Sequence, residues 1–339
     1  MSARRALRAE EARFPLARPF AIARGTRVAI DLVMVEIEEE GRIGRGEGAP
    51  STRYGESARS VLAQIAAMRE AIENGMGREE VRASMAPGAA RNALDCALWD
   101  LEAKLSGVSV TARTGPVPDA LVTAVTVGID TPAAMAQRAR DIVADCGEAG
   151  PAPLLKIKLD REDVVERVKA VRAAAPGAVL IADANESWDM ALLGRVMDGL
   201  AEAGIALLEQ PLPAGGDAAL EGFACAVPLA ADESAHVAGD VAHLAGRYDY
   251  VTIKLDKSGG LSEALALAEA ARGVGMGVMT GCMLCSSLSV AAGWHIAAQS
   301  RFVDLDGPLW LARDRDGGAL FRDGMLHAPV GLRWGYGFP

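Results

Sequence analysis

The most constraining feature of the sequence is a series of short apolar runs, most of which end in a polar residue. From Lys158 to Asp304 these ends recur at intervals of 22 to 28 residues, about the length of one strand, one helix and two loops. In chain order the runs are VTAVTVG, LLKIK, VLIAD, ALLEQ, PLAAD, YVTIK, GVMTGC and FVDLD. Eight parallel strands with crossover helices predict a (β/α)₈ barrel, whose chemistry lies at the carboxyl ends of its strands.

Three carboxylates end consecutive predicted strands: Asp183, Glu209 and Asp232. Three adjacent acids repel one another unless a cation lies between them, and oxygen ligands without His or Cys suit a hard divalent ion. The pattern therefore predicts a Mg²⁺ site, with Mn²⁺ as the second choice. A lone Asp at a strand end is more often a turn former or a helix cap. That interpretation does not explain three acids on successive strands.

Two lysines, Lys158 and Lys254, end the second and sixth predicted strands. In a ring of eight strands these positions face each other across the pocket, an arrangement suited to taking a proton from one face of a carbon and returning one to the other. We expect the metal and the neighbouring Lys156 to lower the pKa of both lysines. Lys257 competes with Lys254 for the role of base, but the alternation of VTIKLDK places Lys257 in the loop. We therefore choose Lys254.

The charge and the hydrophobicity of the chain indicate which kinds of partner it can bind. The 339 residues carry a formal charge of −10 with a pI near 5.1, which argues against nucleic acid and anionic membrane surfaces. No apolar run approaches the ~20 residues of a membrane-spanning helix. The N-terminal segment MSARRALRAEEARF lacks the apolar stretch of a secretory signal. We expect a cytoplasmic protein with small-molecule partners.

Cysteine usage gives no disulfide framework. Five cysteines in a large chain without a secretory signal are predicted to be reduced. Cys282 and Cys285 form a C-x-x-C pair, but without a second pair or a thioredoxin-like context, zinc or redox chemistry is the minority interpretation. Cys282 matters more for its position at the seventh strand end.

The first 115 residues have a different pattern. Apolar residues alternate in RVAIDLVMVEIEE, which predicts a strand of an antiparallel meander, followed by a Gly-rich turn through Gly44, Gly46 and Gly48. Apolar residues then recur at helical spacing in 57–74 and 89–105. This part of the chain is predicted to be an α+β domain.

Two boundaries follow from these patterns. Residues 1–115 form the predicted α+β capping domain, and Pro116 and Pro118 mark a linker into a barrel domain at 116–309. The Gly- and aromatic-rich tail, 310–339, shows no clear helical period. We expect it to leave the barrel and pack back on the capping domain.

Motifs along nearly the whole chain carry a family resemblance. They are Arg24-Gly25-Thr26, RYGES at 53–57, AARNALDCALWDLEAK at 89–104, KIKLD, DANESW, EQPLP, ADES, IKLDKSGGLSEA, GCMLC and DLDGPLWL. With them the chain resembles the muconate-lactonizing subgroup of the enolase superfamily, and within it the bacterial L-Ala-D/L-Glu (dipeptide) epimerases. The resemblance implies a modified (β/α)₇β barrel under an N-terminal cap, one Mg²⁺ per subunit, and an isomerase.

The resemblance also implies a reaction and its residues. A two-base 1,1-proton transfer through an enediolate would invert the α-carbon of the C-terminal residue of a dipeptide, as in peptidoglycan-peptide metabolism. Lys158 and Lys254 would be the bases, and Asp183, Glu209 and Asp232 the metal ligands. The remaining implied contacts are Lys156 to the substrate carboxylate, Asp304 and Asp306 to its α-ammonium, and Thr126, Cys282 and Arg24 elsewhere on the substrate, with Arg24 facing a Glu side chain.

Several of these residues can also be interpreted as purely structural. Asp304 and Asp306 could cap a helix, and the segments around Arg24 and Arg53 could be ordinary surface turns. Asn185 and Glu233 are interpreted as supports for the ligands or as helix caps.

The sequence also departs from some relatives. None of the four histidines ends a barrel strand, so a Lys/His pair has no candidate. GCMLC lacks the acid that some dipeptide epimerases carry there, and Leu288 stands where similar proteins can be polar; both leave the side-chain preference open.

Alternative functions share most of this machinery. An N-acyl amino acid racemase, an o-succinylbenzoate synthase or a cycloisomerase would keep the lysines and the metal without needing an acidic ammonium site. A non-catalytic barrel would predict a lost ligand or base, and none is lost. The direction of epimerisation, the range of dipeptides and any homo-oligomer are left open by the sequence.

Overall fold

The computed structural model describes residues 5–22, 25–147 and 150–336. Arg24 lies outside the described residues, so its predicted contact is not addressed by the structure. Among the described residues, no helix combines the length and the apolar character needed to cross a bilayer. The five cysteines are all free thiols, as the sequence predicts.

The N-terminal part of the chain is an antiparallel sheet covered by helices. Its strands pair in the order β1-β2-β3 and are β1 (Ala6–Ile22), β2 (Gly25–Glu39) and β3 (Arg42–Gly48). Its helices are α1 (Ala58–Glu73), α2 (Arg78–Ser84), α3 (Ala89–Ser106) and α4 (Val110–Thr114). The predicted meander and both predicted helices are present. Helix α3 is buried along most of its length.

The predicted Gly-rich turn is wrong, because residues 42–48 form strand β3. Its three alternating glycines, Gly44, Gly46 and Gly48, lie on the face that packs against α3. A Cβ atom at any of them would lie closer than 3.0 Å to backbone atoms of α3. The glycines therefore allow a close approach of strand and helix, and the chain reverses earlier, at Glu40–Gly41.

We expect Gly46→Ala to destabilise the protein by about 3 kcal/mol, because the new methyl group would press against the backbone of Ala93 and Ala97. Thermal and denaturant unfolding would measure the change. Gly177→Ala is the matched control, since a Cβ there meets no atom within 4 Å. Equal stability of the two variants would contradict this account of β3.

After the capping domain, the chain forms an eight-stranded parallel sheet in which strands that are consecutive along the chain are neighbours. The strands are β5 (Ala124–Val127), β6 (Leu154–Lys158), β7 (Val179–Asp183), β8 (Ile205–Glu209), β9 (Leu229–Ala231), β10 (Tyr250–Ile253), β11 (Gly277–Gly281) and β12 (Phe302–Asp304). All eight coincide with the predicted runs. The N-terminal antiparallel domain and the eight parallel strands confirm the predicted fold class.

Helices cover the outside of this sheet. They are α5 (Pro132–Cys146), α6 (Val164–Ala174), α7 (Met190–Glu202), α8 (Val241–Leu244), α9 (Leu255–Ser258), α10 (Leu261–Gly273) and α11 (Ser287–Ala297). The crossover from β8 to β9 instead runs through a 3-10 turn at Asp217–Leu220. Two prolines and two glycines between 211 and 216 disfavour an α-helix there.

Side chains close the barrel between its first and last strands. Leu305 N donates to Thr123 Oγ1 at 2.8 Å, and Thr126 N donates to Asp306 Oδ2 at 2.9 Å. One end of the barrel is filled by a buried apolar layer with one residue from most strands: Ala124, Leu154, Ile181, Leu207, Ala230, Met279 and Phe302. This layer leaves polar side chains to the other, carboxyl end.

The C-terminal tail returns across the molecule. Its hairpin, β13 (Leu320–Arg322) and β14 (Met325–His327), pairs with β4 (Ala120–Leu121). Further along, Trp334 Nε1 donates to Arg45 O at 2.9 Å, which joins the tail to β3. The domain limits at 115 and 309 stay predictions.

Candidate active site

The polar residues at the strand ends are buried at one end of the barrel. Asp183 and Glu209 end β7 and β8 and are paired in the strand register, and Asp232 directly follows β9. Each is at most 2% exposed. Burial of three carboxylates on neighbouring strands is costly unless cations compensate them. The structure therefore brings the predicted ligand trio together.

The two predicted bases lie on opposite walls. Lys158 ends β6 and Lys254 follows β10, and three strands separate them on either side of the ring. Lys158 Nζ lies 2.6 Å from Asp183 Oδ2, and Lys254 Nζ lies 2.6 Å from Asp232 Oδ2. Each lysine is thus oriented by the carboxylate of a predicted metal ligand.

Lys156 occupies the middle of the acidic cluster. Its Nζ lies 2.6 Å from Glu209 Oε2, 2.8 Å from Asp304 Oδ2 and 3.1 Å from Asp183 Oδ2. The Lys156 ammonium group therefore links two predicted metal ligands, Asp183 and Glu209, to Asp304, which is predicted to bind the α-ammonium of the substrate. Lys156 points into the pocket, as the strand alternation predicts.

The carboxylates change the pKa values of the site. Burial and the nearby Asp183 raise the pKa of Glu209 to about 7, against the opposing effect of Lys156. Burial lowers the pKa of Lys254, but Asp232 and other acids raise it above its usual value overall, against the lowering effect of Lys156. Lys156 thus lowers the pKa of Lys254, as the sequence predicts, and the carboxylates that face this lysine directly outweigh that effect.

The site carries more acids than lysines. Its buried acids are Asp183, Glu209, Asp232, Glu233, Asp304 and Asp306, and its buried lysines are Lys156, Lys158, Lys254 and Lys257. With all groups ionised, six acids against four lysines leave two negative charges. A divalent cation would balance them.

The donor atoms also suit a hard cation. Among the described residues, Glu209 Oε1 is buried and receives no hydrogen bond. In the same described residues no three Asp, Glu, His or Cys side chains are already spaced to hold a metal ion, and Lys156 Nζ lies within 3.1 Å of both Asp183 and Glu209. By residue type, charge and an unsatisfied buried oxygen, the trio fits Mg²⁺.

Lys257 has a supporting position rather than an open one. It lies in α9 and is 1% exposed, with Nζ 2.6 Å from Asp232 Oδ1. The same ammonium donates to the carbonyl oxygens of Asp232, Ala235 and Thr252. Since all its donors are used within the protein, Lys257 holds Asp232 in place and Lys254 remains the candidate base.

Asn185 joins the first base to its neighbouring acid. Its backbone N–H donates to Asp183 Oδ1 at 2.9 Å, and its Oδ1 accepts a hydrogen bond from Lys158 Nζ at 3.2 Å. Its Nδ2 lies 3.5 Å from Glu233 Oε1. The structure thus places both predicted supports beside the ligand trio.

The second acidic pair lies at the end of β12. Asp306 Oδ2 accepts hydrogen bonds from Thr126 N and, at 3.1 Å, from Trp310 Nε1. Burial and the nearby Asp304 raise the pKa of Asp306, whereas these two donors lower it. Thr126 therefore contacts the ammonium site through its backbone. Trp310 is a residue that the sequence interpretation missed.

Cys282 follows β11 and is partly exposed beside the same site. The sulfur atoms of Cys282 and Cys285 both lie within 3.1 Å of the position that a Cβ would take on Gly307. Gly307, directly after Asp306, therefore leaves room for both thiols. The structure places Cys282 next to the predicted ammonium site.

The capping domain contacts the barrel through the segment around Arg53. Arg53 forms two hydrogen bonds to the carboxylate of Glu186, at 2.6 and 2.7 Å, just past the end of β7. The ring of Tyr54 meets the ring of His236 edge to face at 4.9 Å. A bidentate pair is geometrically specific. The segment around Arg53 is thus attached to the loops after β7 and β9, and His236 contacts the capping domain.

Two known families match successive parts of the chain. The family described as "Mandelate racemase / muconate lactonizing enzyme, N-terminal domain" matches residues 4–115, and the family described as "Enolase C-terminal domain-like" matches residues 134–338. Together they cover most of the chain.

Two relatives span nearly the whole chain. An L-Ala-D/L-Glu epimerase of Escherichia coli (strain K12) is 49% identical over 95% of this chain and 99% of its own. An N-acetyl-D-glutamate racemase of a Pseudoalteromonas species is 39% identical over 90% of this chain and 95% of its own. The first protein is named as an epimerase and the second as a racemase.

Two solved structures share the fold. An enolase family member from Agrobacterium tumefaciens with homology to dipeptide epimerases, with bound sodium and L-Ala-L-Glu, has a TM-score of 0.92, 44% identity, and coverage of 97% and 99% of the two chains. A dipeptide epimerase from Enterococcus faecalis V583, complexed with Mg and L-Leu-L-Tyr, has a TM-score of 0.87, 30% identity, and coverage of 96% and 97%.

Proposed function

The chain belongs to the enolase superfamily, in the mandelate racemase / muconate lactonizing enzyme family, and from this premise we propose that it is a Mg²⁺-dependent dipeptide epimerase of the L-Ala-D/L-Glu type. The observation that carries the proposal is the pair of lysines, Lys158 and Lys254, on opposite sides of one buried polar cluster at the strand ends. Epimerisation needs a proton acceptor on one face of a carbon and a donor on the other.

Asp183, Glu209 and Asp232 are the residues that would hold the ion. When bound there, Mg²⁺ would offset the negative charge that develops on the substrate carboxylate and the charge of the acids that raise the pKa of Lys254. The related dipeptide epimerase from Enterococcus faecalis V583, which is complexed with Mg, supports this assignment.

The lysines carry the proton transfers. One lysine, as a neutral amine, takes the α-proton and becomes an ammonium group, while the C–H electron pair stays on the substrate. The opposite lysine, as an ammonium group, returns a proton to the other face of the same carbon. Protons and charge balance over the two steps, and reversal of direction exchanges the roles of Lys158 and Lys254.

Lys156 and the acids of β12 would bind the two ends of the substrate backbone. Lys156 lies between the predicted ligands and Asp304, so its ammonium can pair with a substrate carboxylate beside the trio. Among the described residues, Asp304 Oδ1 is buried and receives no hydrogen bond. Asp304 and Asp306 therefore offer the α-ammonium of a dipeptide a site that an N-acyl group cannot use.

An N-acyl amino acid racemase is the second candidate, because a relative at 39% identity carries the name N-acetyl-D-glutamate racemase. Such an enzyme would use the same lysines and metal ligands. It would have no cation to place against Asp304 and Asp306. The two candidates therefore differ at one end of the pocket.

We expect L-Ala-L-Glu to exceed N-acetyl-L-Glu in kcat/KM by at least about 100-fold, because the acetyl compound would bury a carboxylate without its cation, which costs several kcal/mol. The measurement is α-deuterium uptake in D₂O with Mg²⁺, followed for both compounds and for L-Ala-L-Leu. Preference for the acetyl compound would replace the dipeptide assignment with the N-acyl one.

The same assay tests the predicted contact between Arg24 and a Glu side chain. Arg24→Met should lower kcat/KM for L-Ala-L-Glu by about 10- to 100-fold and leave L-Ala-L-Leu nearly unchanged, since only the former loses charged hydrogen bonds. Arg27→Met is the matched control, because Arg27 is exposed on the following strand. Equal losses for the Glu and Leu substrates would make Arg24 structural.

A role in peptidoglycan-peptide metabolism and a cytoplasmic location remain predictions from the sequence. The substrate named in the epimerase relative, L-Ala-D/L-Glu, supports the first of these.

A further inference from the structure

Gln210 has an unusual position beside the predicted metal ligands. It directly follows Glu209, is fully buried, and has a backbone φ of +34°. Positive φ is uncommon in residues other than glycine and persists only where the surrounding structure fixes it. This conformation ends β8 and turns the Gln210 side chain toward the loop after β9.

The amide of Gln210 is fully used in hydrogen bonds. Its Oε1 accepts from Asp232 N at 2.8 Å and from Ser234 N at 3.2 Å. Its Nε2 has contacts of 2.9 Å to Leu212 O, 2.9 Å to Ser234 Oγ and 3.0 Å to Tyr248 OH. The oxygen therefore binds the backbone on which the Asp232 carboxylate is carried.

A second layer of contacts fixes the amide nitrogen. Ser234 Oγ donates to Asp217 Oδ2 at 2.5 Å, and Tyr248 OH donates to the same oxygen at 3.1 Å. Because both hydroxyl hydrogens are directed at Asp217, both hydroxyl oxygens can accept from Gln210 Nε2. The orientation of the amide is thereby determined, with Oε1 toward Asp232.

The backbone of Gln210 joins the neighbouring strand ends. Its N–H donates to Ala230 O at 2.9 Å, and its carbonyl accepts from Glu186 N at 2.9 Å. Gln210 therefore contacts the segments after β7 and around β9, while its own strand carries Glu209. Of the EQPLP motif, only Gln210 has a side chain that can both accept and donate hydrogen bonds when Glu209 is ionised.

We propose that Gln210 is a positioning residue that holds Asp232 in register with Asp183 and Glu209, so that the three carboxylates can bind one divalent cation. The inference rests on the proposed function for the identity of the ligands. Gln210 itself does not touch the ion. It accepts hydrogen bonds from the backbone N–H groups of Asp232 and Ser234 and so fixes the loop after β9. Without these hydrogen bonds the loop could rotate and carry the Asp232 carboxylate away from the other two.

The test is the affinity of the protein for Mn²⁺ without substrate, measured by the electron paramagnetic resonance signal of free Mn²⁺. Gln210→Met keeps the length and burial of the side chain but removes both the acceptor and the donor. We expect the Kd for Mn²⁺ to rise about 10- to 100-fold, as is typical when a residue that orients a metal ligand is lost. Saturating Mg²⁺ should then restore much of kcat, because the ligands remain.

Three further variants make the result decisive. Gln299→Met changes an exposed glutamine away from the site and should leave the Kd unchanged. Ser234→Ala should also raise the Kd for Mn²⁺, but by a factor several-fold smaller than Gln210→Met does, because Oε1 of Gln210 stays in place. Tyr248→Phe should behave like Ser234→Ala. Circular dichroism and thermal unfolding in chelator show whether each variant is folded.

A folded Gln210→Met protein with wild-type Mn²⁺ affinity would overturn the inference. If that variant does not fold, unchanged affinity in both Ser234→Ala and Tyr248→Phe would overturn it instead. Wild-type protein that binds Mn²⁺ but epimerises no dipeptide would reject the proposed function and leave the role of Gln210 standing.

Discussion

Lys158→Ala and Lys254→Ala should each lower the rate of epimerisation by about 100- to 10,000-fold, the range for loss of a general acid or base. Each lysine is buried and is paired with one carboxylate of the predicted trio, at 2.6 Å. Because inversion needs a proton acceptor on one face and a donor on the other, removal of either lysine stops the full reaction.

The two variants should still differ in a partial reaction. A protein with one remaining base can remove and return a proton on one face only, so it can exchange the α-proton of one epimer with solvent without inverting it. Proton NMR in D₂O, started separately from L-Ala-L-Glu and L-Ala-D-Glu, would measure this exchange. Opposite epimer preferences in the two variants would also assign each lysine to its face.

Lys169→Ala is a suitable control, because Lys169 is an exposed lysine in the middle of α6 and pairs with Glu202, the last residue of α7. Its activity should equal that of the wild type. Normal epimerisation by Lys158→Ala or Lys254→Ala would show that the bases are assigned wrongly.

Chelation should abolish activity, and Asp183→Ala, Glu209→Ala and Asp232→Ala should each lower it by about 1,000-fold or more. The physical reason is that the loss of a bound metal removes several kcal/mol of stabilisation from the charge that forms on the substrate. Activity in chelator, with and without added Mg²⁺, and the metal content of each purified variant would check the prediction.

The ligand variants should also differ from a change to an exposed acid. Asp316→Ala alters a side chain that is 93% exposed and pairs with Arg313 at the surface, so activity and metal content should not change. Full turnover by chelated wild-type protein would reject the metal-dependent mechanism. Wild-type metal content in all three ligand variants would reject the predicted trio as the site.

The sequence by itself determined the barrel and the placement of its polar strand ends. Lys158, Asp183, Glu209 and Lys254 each lie within one residue of the end of an apolar run, and a local alternation suffices to say which side chains point inward. In a ring of parallel strands, order along the chain is order around the barrel. The opposed lysines and the adjacent carboxylates could therefore be predicted before any contact was known.

Other features depended on contacts between distant parts of the chain. Gly44, Gly46 and Gly48 resemble a turn in sequence, and only the packing of β3 on α3 shows why a strand carries them. The crossover after β8 has the length of a βα unit but contains a 3-10 turn. Spacing alone does not distinguish these cases, because it measures length and not conformation.

The supports of the site were also decided by tertiary structure. Gln210, Trp310 and the Arg53–Glu186 pair act through residues that are between 4 and 133 positions away or through the backbone of a neighbouring strand. Lys257 appears in sequence as a rival base, yet its burial against Asp232 makes it a support. The position of a strand end can be predicted from the local pattern of apolar residues. The direction and the partners of a buried polar side chain depend on the helices, strands and loops that enclose it, which are distant in sequence.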